Sequence, residues 1–413
     1  MRKVLSCLLV MLLFASCLPL AVTATAARQT GIPGDTDEDD KLTEVELAGA
    51  ILLFMLEKEG RLELNELRDA AHVYVYWDGE PRTIVDSVDR TVRIYKPIKR
   101  VVCTFPHHIE ALRTLKVSKD TIVGVPSRLD TVFFPEFADV TCIGFSTGPD
   151  LEAILEIDPD IVLLAGDLGS SAMGDPDEDQ EQLEAAGETV IRFTFNQVET
   201  IPEEIEKLGY VFEKEDEAEE FIDWYENILN SIKGKTSEVS PENKPTVYSE
   251  YLPYAISTAD DEIIALAGGK DVFEGKNGDI NKEEVMFEKP DIIIRVVWGI
   301  FAAVGGYGPD ADDTAALKEV RDDIMSREEL QNVTAVKNES VYIITSHIWT
   351  YLPYSGNKAL IGLCYLAKWF HHVLFPDTEL DPKAIHQEYL TRFQGLDIDL
   401  DDKGVFVYPE KKG

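Results

Sequence analysis

The sequence predicts an α/β protein of two similar lobes, with a long helix between them along the chain and a small helical module in front of them. Three observations carry this. The stretch Glu152–Leu164, EAILEIDPDIVLL, is echoed at Glu283–Arg295, EEVMFEKPDIIIR. Each copy sets a Glu seven residues before a Pro-Asp pair and follows the pair with an apolar run, Ile161–Leu164 or Ile292–Ile294. That pattern is a short helix stopped by Pro and feeding a buried strand. Next, strand-like and helix-like segments alternate on both sides of the chain's centre, which implies parallel βαβ units. Between them Ala218, Phe221, Ile222, Tyr225, Ile228, Leu229 and Ile232 recur at helical spacing, with acidic residues on the other face.

The elements divide the 413 residues into 1–26, 27–82, 83–200, 201–235 and 236–413. Residues 1–26 read as a secretory leader: Arg2-Lys3, an apolar core over Val4–Ala15, and the small-residue site Ala24-Thr25-Ala26. Phe14-Ala15-Ser16-Cys17 also resembles a lipobox, so cleavage with free secretion and lipid anchoring through Cys17 both stand. Either puts the mature chain outside the cytoplasm. Residues 27–82 hold an acidic module. Asp35, Asp37, Asp39, Thr43 and Glu46 fall at the oxygen-ligand positions of an EF-hand calcium loop, with the Lys41 carbonyl at the seventh. Asp40 stands where Gly normally turns the loop. Met55–Glu66 keeps Gly60, Leu62 and Glu66 of a second, degenerate loop, so the pair looks dockerin-like.

In residues 83–200, strands are expected at Val88–Ile94, Lys99–Val102, Thr121–Val125, Ile161–Leu164 and Thr189–Thr194. Thr104–His108 reads as a loop before a helix over Ile109–Leu115. Pro202–Lys233 reads as one helix. In the last segment Thr246–Ser249, Ile292–Ile294 and Val341–Tyr342 are expected strands. Tyr251–Tyr254 and Tyr351–Tyr354, both Tyr-Leu-Pro-Tyr, are expected loops. Of five Cys, two lie in the leader. Buried thiols are expected for Cys103, Cys142 and Cys364, with a Cys103–Cys142 disulfide as the alternative.

Lys and Arg number 39 against 77 Asp and Glu, a net charge of −38. Nucleic acid is thereby disfavoured as a partner. No G-x-S-x-G or H-E-x-x-H signature is present, and no catalytic residue is assigned.

The order Asp86–Val102 ("DxxGRxVxI…KRVV", with Asp89 where Gly is usual), Pro106…Glu110, Ile122–Val125, Asp150-Leu151-Glu152…Pro159-Asp160, Leu266–Gly269 and Val336–Tyr342 resembles class III substrate-binding proteins of ABC importers. That group serves iron–siderophore, haem and cobalamin uptake. The resemblance spans roughly residues 83–410. It implies two Rossmann-like lobes, a connecting helix that limits hinge motion, and an ABC permease with its ATPase as partner. It also implies that Glu152 and Glu283, one per lobe, dock on that permease.

Ligands of such lobes bind outside the carboxyl ends of the strands. The expected ligand-binding residues are His107, His108, Arg128, Tyr251, Tyr254, Trp298, His347 and Trp349, with the loop Leu168–Ser171 and Tyr351 beside them. Aromatics suit a large flat chelate. Arg128 suits an anionic group on it, and a His suits an open position on iron or cobalt. Ligands in declining preference are an iron–siderophore, haem, a corrinoid, and an oxyanion or chelated nickel. Two other readings are a calcium-dependent surface protein docking a cohesin-like partner and a chelatase-like enzyme. The leader argues against the second.

Overall fold

The computed structural model describes residues 31–166, 175–298, 305–307, 313–349 and 356–410. The leader with Cys17, the loop Leu168–Ser171 and Tyr351–Tyr354 lie outside the described residues.

The first lobe opens with a hairpin, β1 (Arg82–Val85) and β2 (Thr91–Ile94). The carboxylate of Asp86 accepts the Val88 and Arg90 N–H groups across its turn. Asp89, the departure from the family pattern, takes the left-handed φ of 62° that a Gly would supply. Then come β3 (Val101–Cys103), β4 (Ile122–Val125), β5 (Thr141–Cys142), a short hairpin of β6 (Gly144–Phe145) and β7 (Gly148–Pro149), β8 (Ile161–Ala165) and β9 (Val190–Phe193). They form a parallel sheet in the order β5-β4-β3-β8-β9.

The second lobe holds β10 (Thr246–Glu250), β11 (Ala255–Ile256), β12 (Lys270–Asp271), β13 (Gly278–Asp279), β14 (Ile292–Val297), β15 (Val341–Thr345) and β16 (Val407–Tyr408). Its main sheet runs β12-β10-β14-β15-β16, with β16 antiparallel at the edge. Side chains alternate between two buried faces: Val101 and Cys103 enter one apolar cluster and Val102 another. This two-sided burial is why the strands read as continuous apolar runs.

The repeat does the same work in both lobes. Its helices, Leu151–Ile157 and Lys282–Glu288, each end on a left-handed residue, Asp158 (φ 53°) and Lys289 (φ 49°). The Asp of each Pro-Asp pair then ties down the start of the neighbouring strand. Asp160 accepts the N–H groups of Lys99 and Arg100 at 2.8 and 2.9 Å, just ahead of β3. Asp291 accepts the N–H and hydroxyl of Thr246, the first residue of β10, at 3.0 and 2.8 Å.

The single connecting helix expected over 202–233 is two helices, Ile201–Val211 and Glu215–Ser237. The chain breaks at Glu213, which takes φ 56°. Gly209 allows the close crossing, since a Cβ there would lie 2.6 Å from the Cβ of Ala218. The 23-residue second helix is the long one.

The N-terminal module consists of the helices Glu44–Met55 and Leu64–Tyr76. It packs on the first lobe: Ile32, Leu42, Leu47, Ala70, Val73 and Trp77 share one apolar cluster with Ile84, Val92 and Val101. Arg93–Asp40 (3.0 Å) and Lys99–Asp69 pairs tie its acidic side to the lobe.

Expectations for the cysteines need correction. Cys103, Cys142 and Cys364 are free thiols, and Cys142 is exposed rather than buried. β4 lies between the strands of Cys103 and Cys142. Two strand spacings, about 10 Å, exceed the reach of a disulfide. No helix among the described residues is long and apolar enough to cross a membrane.

Candidate functional site

Each sheet reverses its winding beside its first strand, between β3 and β8 in one lobe and between β10 and β14 in the other. At such a point the loops beyond the strand ends diverge and leave a crevice. The segments following β3, β4, β10, β14 and β15 therefore decide what the crevice offers.

After β3 the helix begins at Pro106, which supplies the fixed φ of a first helical residue. His107 and His108, expected on a loop, are in that helix's first turn. His108 is 0% exposed, with Nε2 at 3.4 Å from the Phe193 carbonyl. Burial pushes its pKa down to about 4, so the ring is neutral. It belongs to the interior and is withdrawn as a ligand contact. His107 is 3% exposed, stacked on Phe105 at 5.1 Å between ring centroids.

Arg128, after β4, is exposed, with φ 61° and its guanidinium 4.9 Å over the Phe145 ring. It remains available to an anionic group. After β10 the two tyrosines part company. Tyr251 is half-buried and faces Trp298, itself half-buried at the end of β14, at 6.4 Å between centroids. Tyr254 instead donates its hydroxyl to Glu329 at 2.9 Å and its N–H to the buried Glu250 at 3.0 Å. The guanidinium of Arg327 lies 5.3 Å over its ring. Those contacts give Tyr254 a structural role, not the expected ligand contact.

After β15, His347 packs edge-on to Tyr307 at 6.0 Å, and its Nδ1 has no hydrogen-bond partner among the described residues. Burial first, and the Lys358 ammonium second, push its pKa down to about 4. A neutral imidazole with an uncommitted nitrogen is the form that binds metal. Trp349, two residues on, is 0% exposed and donates Nε1–H to Asp260 at 2.6 Å. Burial raises Asp260 to about 6. Trp349 is therefore core, and the expectation that it touches ligand is wrong: the loop turns inward after His347.

Glu152 and Glu283 are exposed in the first turns of the two repeat helices, and neither makes a salt bridge among the described residues. In a βαβ unit a helix runs antiparallel to the strand it feeds, so both stand at the crevice end of their lobes.

In the acidic loop, Asp35, Asp37 and Asp39 bring carboxylate oxygens within 4.8 Å of one another. Asp37 is raised, chiefly by the charge of Asp39. Asp40 takes φ 64°, the conformation a Gly would have supplied. The side chains of two other expected ligands, Thr43 and Glu46, are used elsewhere. Thr43 caps the Glu44–Met55 helix. The Glu46 carboxylate accepts four hydrogen bonds, from the N–H and hydroxyl of both Thr36 and Thr43. Hydrogen bonds from the Thr43 and Thr36 backbone hold it down at about 2. Lys41 turns its ammonium to Glu80 at 2.6 Å.

Sequence reasoning missed the residues that frame the crevice. Arg192, 3% exposed, donates to the carbonyls of Ala165 and Gly166, both at 2.8 Å, and holds the end of β8. Glu204 accepts the Thr194 and Phe195 N–H groups at 2.8 and 2.6 Å. Tyr307 is bonded to His386 at 2.7 Å. Nothing in local pattern distinguishes these from ordinary surface charges or core aromatics.

A model of the periplasmic binding protein family matches residues 101–348. Comparison with curated proteins gives no significant match. Among solved structures, the TroA-like periplasmic binding protein FepB of Veillonella parvula is 22% identical. That match covers 79% of this chain and 99% of the other, with a TM-score of 0.63. The molybdate-binding MolA of Haemophilus influenzae is 18% identical over 76% of this chain and 98% of its own (TM-score 0.59). CeuE of Helicobacter pylori, in an Ni-His complex, is 17% identical over 77% and 97% (TM-score 0.57). At these identities the likeness shows the fold. Family and relatives are solute-binding proteins of ABC importers, not enzymes, and the family is extracytoplasmic. With its two reversed parallel sheets and a family model matching well over half its length, the chain belongs to the periplasmic binding protein family.

Proposed function

We propose that this substrate-binding protein captures a metal complex between its lobes, an iron–siderophore or haem first and a corrinoid second, and delivers it to an ABC permease. The observation that carries the reading is the set Arg128, Tyr251, Trp298 and His347 beyond the strand ends. It combines a cation, two aromatic faces and a neutral imidazole with an uncommitted nitrogen. Two of the relatives carry metal species in their names, molybdate and Ni-His. Glu152 and Glu283 are the docking points for the permease.

A thermal-shift panel of ferric siderophores, haem, cobalamin, cobinamide and nickel–histidine tests this. A ligand at ~100 Kd stabilises the folded state by ~2.7 kcal/mol, a few degrees in Tm for a chain of this size. No shift with any member, from protein shown to be folded, would overturn the metal-complex reading.

The three gathered carboxylates favour a second, separate role for the N-terminal loop, a calcium site on Asp35, Asp37 and Asp39. A cation there would relieve the repulsion that raises Asp37. Isothermal titration of the metal-stripped chain should give calcium uptake that Asp37→Asn weakens. Uptake unchanged by that substitution would assign the calcium elsewhere.

A further inference from the structure

The connecting helices are not the sole packed link between the lobes. A second strut crosses the seam from residues late in the second lobe to the first helix of the first lobe. Lys358 Nζ donates to Glu110 Oε2 at 2.8 Å, with the two side chains 4% and 2% exposed. The Tyr389 hydroxyl donates to the other oxygen of Glu110. Around this pair, Asn357 Nδ2 donates to Thr114 Oγ1 at 3.1 Å, and Gln394 Nε2 donates to Thr114 Oγ1 at 2.7 Å. The Lys358 ammonium also sits 3.9 Å from the ring centroid of Phe133. Gly356 closes the contact, since a Cβ on it would lie 2.9 Å from the Cβ of His107. On the outer side Glu220 of the long connecting helix accepts from Lys116 of the first lobe at 3.1 Å and from Arg392 at 3.0 Å.

Apolar packing runs through the same seam. Trp224 of the connecting helix stacks on Tyr389 at 6.1 Å, and Phe221 meets Phe393 edge-on at 5.2 Å. Leu112, Leu115, Phe221, Tyr389 and Phe393 all belong to one apolar cluster that passes from lobe to lobe. We propose that the buried Glu110–Lys358 pair bolts this second strut, so that losing either charge lets the seam between the lobes open.

The physical reason is an asymmetry between closed and open states. Opening the seam would return both charges to water, where each is well solvated. In the closed state each is tolerable only because the other is present. Removing one partner leaves a bare buried charge that opening relieves. A single substitution should therefore shift the lobe equilibrium toward open, rather than weaken every part of the protein equally.

The test is hydrogen–deuterium exchange and small-angle X-ray scattering on the full chain without ligand, so it does not depend on which ligand is transported. In Lys358→Met, the amides of 106–114 and 382–394 should exchange together roughly tenfold faster or more. The amides of β3, β8, β10 and β14 should keep their wild-type protection, and the radius of gyration should rise. Glu110→Gln, which keeps the acceptor but loses the charge, should move the same two segments and provides the test if Lys358→Met does not fold. Uniformly faster exchange would overturn the proposal, because the pair would then be one more core interaction. So would unchanged exchange in the two segments, or an unchanged radius of gyration.

Discussion

The ends of the first strands of the two lobes make an instructive pair. Both strands start under the same restraint, an Asp from the repeat, and both end at the crevice. β3 ends on Cys103, and the hydroxyl of the next residue, Thr104, donates to the Leu163 carbonyl at 2.9 Å. β10 ends on Glu250, 0% exposed, facing Arg295 at 3.3 Å and Arg327 at 3.0 Å, with the Tyr248 hydroxyl at 2.7 Å. One lobe finishes its strand with a neutral hydrogen bond and the other with a buried charge cluster. The repeat thus specifies scaffold, and what stands above the scaffold diverged in electrostatics. Buried charges demand full pairing, so the end of β10 is less forgiving than the end of β3.

The largest expected effect follows directly. Glu250→Gln leaves two arginines without their buried counter-charge and should cost ~3 kcal/mol or more of unfolding free energy. Thr104→Val should cost only ~1 kcal/mol. Urea denaturation measures both; comparable losses would erase the contrast between the lobes.

Next come the shared parts. Asp160→Ala and Asp291→Ala each remove two charge-assisted hydrogen bonds to a strand start and should cost ~2 kcal/mol apiece. Asp160 should be the costlier, since it also pairs with Lys96 at 2.7 Å. If only one of the two were destabilising, the repeat would not be one structural device used twice.

A similar split separates the two tryptophans of the second lobe. Trp349→Phe strips a donor from the buried Asp260 and should lower stability by ~1–2 kcal/mol. Trp298→Ala should leave stability nearly unchanged while reducing the thermal shift given by whichever panel ligand binds. The reverse pattern would move the site toward Trp349.

The last contrast is in pH, and its sign differs between two buried groups. Burial lifts the Asp271 carboxyl of the second lobe to about 7. The native state therefore holds a proton that the unfolded chain releases, and this group adds stability as pH falls from about 7 towards 4. Burial depresses His108 of the first lobe to about 4. There the unfolded chain takes up the proton first, so stability is lost as pH falls from about 6.5 towards 4. Asp271→Asn should stabilise at pH 8 and flatten the first dependence; His108→Gln should flatten the second. Unfolding titrations between pH 4 and 8 check both slopes.

Local pattern was enough for the lobes. Runs such as Ile161–Leu164 and Ile292–Ile294, buried on both faces, can hardly be anything but parallel strands, and Pro-Asp marks where each begins. The gathering of Asp35, Asp37 and Asp39 was legible for the same reason, because alternate residues of one short loop are brought together by the chain itself. The connector was half legible: helical periodicity survives the break at Glu213, because a tight crossing of two helices leaves both periods intact. Which crevice residues face inward was not legible. His347 and Trp349 stand two apart on one short turn, yet one keeps a nitrogen uncommitted and the other is sealed against Asp260.

What the sequence determined by itself, then, is everything governed by nearest neighbours along the chain: strand runs, caps, the repeat and the carboxylate spacing. Only the tertiary structure decided the partners of Glu110, Glu250 and Asp260. Glu110 meets Lys358 across 248 residues, and Asp260 meets Trp349 across 89. A buried charge must find its partner wherever packing brings one within about 3 Å. No periodicity along the chain encodes that distance.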